Sequence, residues 1–186
     1  MTVYDFRSKF EYSKGEKEKS DIELLKKLLG TDNVRKTPDE EDLKGIDYVA
    51  TLRKGAQVNI DTKTRAPGAS RGWYGEEPEL ALEVWAEVPT ETSPGKTGWT
   101  LDESSNVDYI LYTFDKSDSE NFYFFPFQLL RKCFLNNCKE WINKYSYRTQ
   151  VSQHRKKRWS STAVFVPASV VAEAINKLMI GKTENV

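Results

Sequence analysis

The feature that most constrains the fold is a short turn sequence, Arg53-Lys54-Gly55, between two runs of β-forming residues. Glycine adopts the backbone conformations that a tight turn needs, so the stretch 45–65 predicts a β-hairpin. If the chain turns here, the numbers of paired residues sum to about 108, and Asp47 lies opposite Asp61. The sequence therefore predicts two carboxylates on neighbouring strands, with Cβ atoms about 5 Å apart.

The alternation of side chains along a strand determines what surrounds these carboxylates. Asp61 and Lys63 fall on one face with Asn59, whereas Val58, Ile60 and Thr62 fall on the other. Two adjacent carboxylates repel each other unless a cation lies between them, and Mg²⁺ commonly binds one or two carboxylates together with water and phosphate oxygens. A lysine beside such an ion can hold an attacking water or neutralise charge on a phosphate. These residue types indicate metal-assisted phosphodiester hydrolysis.

The other elements predict an α/β protein. Apolar residues recur at helical spacing from Ile22 to Leu29, and two capping boxes, one starting at Ser13 and one at Ser20, compete for the start of this helix. Later segments alternate between strand and helix patterns: strands at 79–88, 107–114, 122–125 and 161–167, and helices at 127–145 and 170–179. This order, α-β-β-β-(β)-α-β-α, predicts a central mixed sheet flanked by helices.

Length and composition limit the class of protein. A chain of 186 residues is suited to one domain, expected to span 1–186. Its 28 Lys and Arg balance 28 Asp and Glu, so only local clusters of cations can indicate an anionic partner. No segment has the roughly 20 apolar residues of a membrane span, and no signal peptide is evident, so we expect an intracellular, cytoplasmic protein without a membrane partner. Cys133 and Cys138 are expected to be reduced thiols.

Two segments together carry a family resemblance. Gly45-Ile46-Asp47 followed by Ile60-Asp61-Thr62-Lys63-Thr64-Arg65 resembles the core of the PD-(D/E)XK nuclease superfamily, and the order of elements matches over roughly residues 14 to 114. The resemblance implies a restriction-endonuclease-like fold and metal-dependent hydrolysis of DNA. In two departures from the motif, Ile46 replaces the proline and Asp61 stands where glutamate is commoner.

The resemblance also implies roles for individual residues. Asp47 and Asp61 would be catalytic ligands of Mg²⁺, for which Mn²⁺ can substitute, and Thr62 would be a further metal ligand. Lys63 would align or activate the attacking water. The competing interpretation is that Asp47 and Lys63 form a cross-strand ion pair on a solvated face, worth less than about 1 kcal/mol.

The family usually supplies one more acid from the first helix. Glu18 lies four residues before Ile22 and faces inward if the helix begins near Ser13, so it is the candidate for this catalytic acid. A start at Ser20 would leave Glu18 badly placed, and a solvated helix charge is the alternative. Glu79 and Glu83, which share a strand face, are further candidates to extend the acidic cluster.

Cationic residues indicate where DNA would bind. Arg65 shares a face with Lys63, Arg71 lies in the loop after the motif, and the segment 154–159 is the densest basic cluster. The nucleic-acid-binding candidates are Arg65, Arg71, Arg155, Lys156, Lys157 and Arg158. Solvated surface charges are the alternative for each of them.

The leading hypothesis is a Mg²⁺-dependent deoxyribonuclease, expected to be an endonuclease, with an exonuclease left open. A second hypothesis is a catalytically inactive relative that acts as a DNA-binding or protein-interaction module. A third is an inhibitor or assembly factor that binds no nucleic acid. The sequence leaves open the target specificity and whether the protein acts as a monomer or a homodimer.

Overall fold

A computed structural model describes residues 3–5, 16–38, 45–65, 77–114, 122–154 and 157–180. Within these residues the chain forms two five-stranded sheets and three α-helices. The helices are α1 (Glu16–Leu29), α2 (Phe127–Lys144) and α3 (Ala168–Ile180). None of them is long and apolar enough to cross a membrane. The α/β class predicted from the sequence is confirmed.

Each sheet combines parallel and antiparallel neighbours. The first sheet contains, in spatial order, β2 (Val34–Lys36), β3 (Tyr48–Thr51), β4 (Gln57–Arg65), β7 (Tyr109–Phe114) and β8 (Phe122–Pro126). The second contains β1 (Val3–Asp5), β9 (Ser146–His154), β10 (Lys157–Pro167), β5 (Glu79–Glu87) and β6 (Lys96–Thr97). The parallel pairs are β4 with β7 and β1 with β9.

The expectation of one central sheet is corrected by this division. The predicted order also lacked β1, which precedes α1, and β2, β6 and β9, which lie between the expected elements. Strand β9 reads SYRTQVSQH, and Val151 is its only aliphatic side chain, so its sequence lacks the apolar alternation of a half-buried strand. Whether the architecture is restriction-endonuclease-like stays a prediction.

The hairpin predicted at the turn is confirmed. Tyr48 pairs with Ile60 and Val49 with Asn59, so the paired numbers sum to 108. At the turn, the backbone N–H of Leu52 donates to the carbonyl of Ala56 over 2.8 Å. Gly55 has φ +80°, in the left-handed region where a side chain is strained. The residues that face each other across β3 and β4 are therefore those expected from the sequence.

Helix α1 packs on one face of the first sheet. Because α1 already includes Glu16, the later start at Ser20 is wrong, and Gly30, with φ +64°, follows the helix as predicted. Leu25 is fully buried against side chains from three strands, namely Tyr48, Ala50, Ile60 and Leu111. This packing fixes the rotation of α1, and so decides which of its acids approach the hairpin.

The larger core cluster lies around α2 and α3. It combines apolar side chains of both sheets with the inner faces of these helices, including Leu80, Leu82, Val164, Val166, Ile110, Phe127, Leu130 and Phe134. Burying each such side chain contributes about 1.5–3 kcal/mol. Cys133 is buried in this cluster and Cys138 lies partly exposed; both are free thiols, as expected from the sequence.

Side chains of the first sheet meet the backbone of β5 in the second. The Arg65 guanidinium donates from Nη1 to the carbonyl of Glu79 over 3.1 Å. The Tyr112 hydroxyl accepts the backbone N–H of Ala81 at 2.9 Å. These bonds hold the end of β4 against β5, so side chains of both sheets surround the residues near Lys63.

Candidate active site

Asp47 immediately precedes β3, at the point where β4 extends beyond its pairing with β3 while it stays paired with β7. The backbone N–H of Asp47 donates to the carbonyl of Ile60 over 2.9 Å, and β4 then extends to Arg65. The Asp47 carboxylate turns toward β4, where Oδ2 accepts the backbone N–H of Thr62 at 2.7 Å and its hydroxyl at 2.5 Å. A side chain thus replaces the backbone partner that Thr62 would have in a longer β3, and this fixes one carboxylate oxygen.

Asp61 and Lys63 form a close ion pair on β4. The Lys63 ammonium lies 2.7 Å from Oδ1 and 2.6 Å from Oδ2 of Asp61. The Asp61 side chain is 7% exposed and that of Lys63 is 29% exposed. The pair is therefore shielded from bulk water on the Asp61 side but accessible from the Lys63 side.

Asp61 is a buried carboxyl group with the Asp47 carboxylate beside it. Burial, the largest effect, raises the pKa of Asp61 to about 6; Lys63 lowers it, and the charge and hydrogen bond of Asp47 raise it. The two aspartates are therefore within hydrogen-bonding reach of each other, and because the charge of Lys63 has a larger effect than the charge of Asp47, burial is what keeps the pKa of Asp61 raised. The structure brings Asp47, Asp61 and Lys63 together, in the arrangement expected from the hairpin register.

Lys63 is surrounded by acids from both sheets. Burial alone would lower the pKa of Lys63, but the carboxylates of Asp61, Asp47 and Glu83 outweigh burial and raise it. Glu83 comes from β5, and its Oε2 accepts the backbone N–H of Trp99 at 3.2 Å. The Trp99 ring centroid lies 5.5 Å from the Lys63 ammonium. Lys63 is therefore a protonated donor at neutral pH.

The acid of α1 that lies close to the hairpin carboxylates is Asp21, which the sequence analysis missed. Its side chain is 7% exposed and bonds to the Lys17 ammonium at 2.9 Å. Burial raises the pKa of Asp21, Lys17 lowers it, and the charge of Asp47 raises it further. Glu18 instead pairs with Lys36 over 3.2 Å, with 36% of its side chain exposed. The signal in the sequence was the position of Asp21, one turn before the fully buried Leu25.

Thr62 and Arg65, two of the predicted site residues, make contacts that do not match the roles expected for them. The Thr62 hydroxyl is engaged with Asp47, so Thr62 holds a candidate ligand in place. The Arg65 guanidinium lies 3.7 Å from Oε2 of Glu79 and 4.9 Å from the ring centroid of Phe165, and the residue is 9% exposed. A phosphate would have to displace these neighbours to reach Arg65, and Glu79 is occupied with Arg65 rather than with the acidic cluster.

Of the basic candidates in 154–159, Lys157 and Arg158 are the first two residues of β10, where a loop was expected. Arg155 and Lys156, like Arg71 after the motif, lie outside the described residues. Lys157 is 64% exposed at its side chain and bonds to Glu87 over 2.6 Å, and Arg158 is exposed. Glu87 lies four positions along β5 from Glu83, about 13 Å in a strand. Lys157 therefore lies near the end of β5 that is farther from the residues around Lys63.

The donor set of the site is compatible with a hard divalent cation. Asp47 and Asp61 offer carboxylate oxygens, the ligand type that Mg²⁺ prefers, and a cation between them would offset their repulsion. Among the residues that the structure describes, no group of three His, Cys, Asp or Glu side chains could hold a metal ion by itself. An ion at the pair would therefore take its remaining ligands from water and from an anionic substrate.

Comparison with protein-family models, with curated proteins and with solved structures found no match to this chain.

Proposed function

We propose that the protein is a metal-dependent nuclease that hydrolyses phosphodiester bonds of DNA. The observation that carries the proposal is the cluster of Asp47, Asp61 and Lys63, in which two carboxylates approach each other beside a protonated amine. Such a site suits a divalent cation together with a phosphate, because the cation neutralises the acids and the amine can contact the phosphate oxygens.

Each residue of the cluster has a distinct task under this proposal. Asp47, fixed by Thr62, and Asp61 would hold Mg²⁺ or Mn²⁺, which when bound polarises the phosphate and the attacking water. Lys63 would donate a hydrogen bond to the water or to a phosphate oxygen and stabilise the negative charge that develops there. Asp21, on the far side of Asp47, would orient a water molecule near the acids.

The substrate class follows from charge. Hydrolysis of a phosphodiester adds a water oxygen to phosphorus and breaks one bridging P–O bond, leaving a phosphate monoester and a hydroxyl group. Lys157 pairs with Glu87, which lies about 13 Å along β5 from Glu83, and under this proposal it would contact a backbone phosphate beyond the reacting one. A polymer rather than a small phosphodiester uses both regions at once, and this favours a nucleic acid.

The test is cleavage of plasmid and linear DNA with Mg²⁺ or Mn²⁺. Wild type is expected to cut, and Asp61→Ala and Lys63→Ala are expected to lose at least about 100-fold in rate. Asp108→Ala, which removes an exposed acid bonded to the backbone of Asn59, serves as a control for charge loss on the same sheet. If wild type and Asp61→Ala showed the same background level of DNA cleavage, unaffected by metal ions, the proposal would be overturned.

A catalytically inactive DNA-binding or protein-interaction module is the second candidate. It is favoured by the contact of Lys63 with both oxygens of Asp61, because a permanent ion pair competes with a metal ion for those oxygens. DNA binding that is unchanged by EDTA and by Lys63→Ala, with no cleavage of any substrate, would support this candidate. Absence of salt-sensitive DNA binding would point instead to a protein partner.

A further inference from the structure

We infer that Glu83 and Trp99 are positioning residues for Lys63, which they hold from the second sheet while Asp61 holds it from the first. The inference rests on the proposed function, in which the oxygens of Asp61 also bind a metal ion. It assigns to β5 and the turn after β6 a role that the hairpin motif does not include.

The contacts around Lys63 support this inference. The Trp99 ring centroid lies 5.5 Å from the ammonium, within range of a cation–π interaction. The backbone N–H of Trp99 donates to Oε2 of Glu83, so the ring and the carboxylate are fixed to each other. The charge of Glu83 acts on Lys63 as well. Lys63 therefore has a carboxylate and an aromatic face on the side away from α1.

The turn that carries Trp99 is closely fitted to β5. Residues Trp99–Leu101 form a 3-10 turn, and the N–H of Gly98 donates to the carbonyl of Val84 over 2.9 Å. A Cβ atom on Gly98 would lie 2.4 Å from the Glu83 carbonyl oxygen, much closer than real Cβ atoms approach such an atom. Only glycine allows the turn to pack this closely, and the packing places Trp99 beside Glu83 and within 5.5 Å of the Lys63 ammonium.

Lys63 needs further contacts besides Asp61 because of the role proposed for Asp61. Both oxygens of Asp61 now accept from the Lys63 ammonium. A carboxylate oxygen that coordinates a cation is a weaker acceptor, so Lys63 would lose part of its anchor when the ion binds. Glu83 and Trp99 remain in place, because neither side chain belongs to the carboxylate pair, and they keep the ammonium near the reacting phosphate.

The experiment compares Glu83→Gln with Glu87→Gln. Glutamine at 83 keeps an oxygen for the Trp99 N–H but removes the charge, whereas Glu87, farther along β5, pairs with Lys157. We measure kcat and KM on labelled DNA, and the Kd of Mn²⁺ without DNA. For Glu83→Gln we expect kcat to fall about 10- to 100-fold, with KM and the Mn²⁺ Kd within about twofold of wild type. Glu87→Gln should leave kcat and the Mn²⁺ Kd unchanged.

Two outcomes with Glu83→Gln would overturn the inference. An unchanged kcat in Glu83→Gln would show that the charge is not needed, and a Mn²⁺ Kd weakened tenfold or more would make Glu83 a metal ligand instead. Trp99→Phe, which keeps an aromatic face, should retain more activity than Trp99→Leu. Equal losses in these two variants would also contradict the role given to the ring.

Failure of the proposed function is distinguished by a measurement that needs no cleavage. If wild type cuts no DNA, Lys63→Met is combined with Glu83→Gln and, as control, with Glu87→Gln, and the melting temperatures are compared. Coupling between 63 and 83 should change the effect of Lys63→Met by about 2 °C or more in the Glu83→Gln background alone. Equal effects in both backgrounds would overturn the positioning role.

Discussion

Asp61 is buried, lies beside another carboxylate and is paired with Lys63. Burial and the neighbouring carboxylate favour the protonated form of Asp61, whereas Lys63 favours its charged form. Its pKa of about 6 means that between pH 4 and pH 6 the folded protein keeps a proton that the unfolded chain has lost. The contribution of Asp61 to stability is therefore greatest at acidic pH and is lost as the pH rises through about 6. A group that is costly to ionise is typical of a binding site, where the ligand supplies the missing stabilisation.

Metal binding should therefore depend on pH. A cation has to displace the proton of Asp61, so we expect the affinity for Mn²⁺ to rise about tenfold per unit up to pH 6 and to level off above pH 7. Isothermal titration calorimetry at pH 5, 6 and 7.5 measures this. Asp61→Asn should bind weakly at every pH. Equal affinities of wild type at pH 5 and pH 7.5 would contradict the assignment of Asp61 as a ligand.

The hydroxyl of Thr62 should matter for the site as well as for stability. Thr62→Val keeps the shape of the side chain but removes the 2.5 Å hydrogen bond to Asp47, leaving only the bond from the backbone N–H. We expect a loss of about 1–2 kcal/mol in the free energy of unfolding and a weaker Mn²⁺ affinity, since the Asp47 carboxylate is less well fixed.

The matched control is Thr64→Val on the same strand, whose exposed hydroxyl bonds to that of Thr113 over 3.0 Å. It should change neither quantity beyond about 0.5 kcal/mol. Urea unfolding and Mn²⁺ titration of the two variants provide the comparison. If both variants behave alike, the bond from Thr62 to Asp47 has no special role.

The β3–β4 hairpin is the element that could be predicted best from the sequence. A glycine turn fixes the register locally, and the register alone brings Asp47 near Asp61. The acid from α1 could not be predicted in the same way, because the helical pattern allows either Ile22 or Leu25 to be the most buried residue. Packing against the first sheet selects Leu25, and this rotation brings Asp21 rather than Glu18 toward Asp47.

The turn itself can be tested through Gly55. Its φ is +80° and a Cβ atom would meet no atom within 4 Å, so Gly55→Ala adds backbone strain without a steric clash. We expect about 1–2 kcal/mol of destabilisation in urea unfolding. Arg53→Ala, exposed in the same turn, should remain within about 0.5 kcal/mol of wild type. A neutral Gly55→Ala would mean that the turn can adopt another conformation.

At the scale of the whole molecule, the division into two sheets could not be predicted from the pattern of apolar residues in the sequence. Strands β4, β5 and β7 come in this order along the chain, and nothing local indicates that β5 pairs with β10 while β4 pairs with β7. The choice depends on contacts between distant residues, such as Arg65 with Glu79 and Tyr112 with Ala81. The same contacts explain why Arg65, expected at a phosphate, is buried between the sheets.

The Arg65–Glu79 pair should be essential for joining the sheets. Both side chains are at most 9% exposed, so Arg65→Met leaves a carboxylate buried without its cation and should cost about 3–5 kcal/mol. Adding Glu79→Gln should recover much of this loss in urea unfolding. Lys157→Met, at the exposed pair with Glu87, should cost less than about 1 kcal/mol. Unchanged stability of Arg65→Met with weaker, less salt-dependent DNA binding would instead support the phosphate contact.

The side chains that contact β5 also prevent this strand from pairing with another copy of the chain. Arg65 and Tyr112 occupy backbone groups of β5 that a strand from another chain could otherwise bind. When heat or denaturant separates the two sheets, that stretch of β5 becomes a template for intermolecular pairing. We therefore expect self-association during unfolding to start at β5. A bulky or charged substitution that weakens the contacts of Arg65 and Tyr112 with β5 should lower the solubility of the protein before it lowers the helix content.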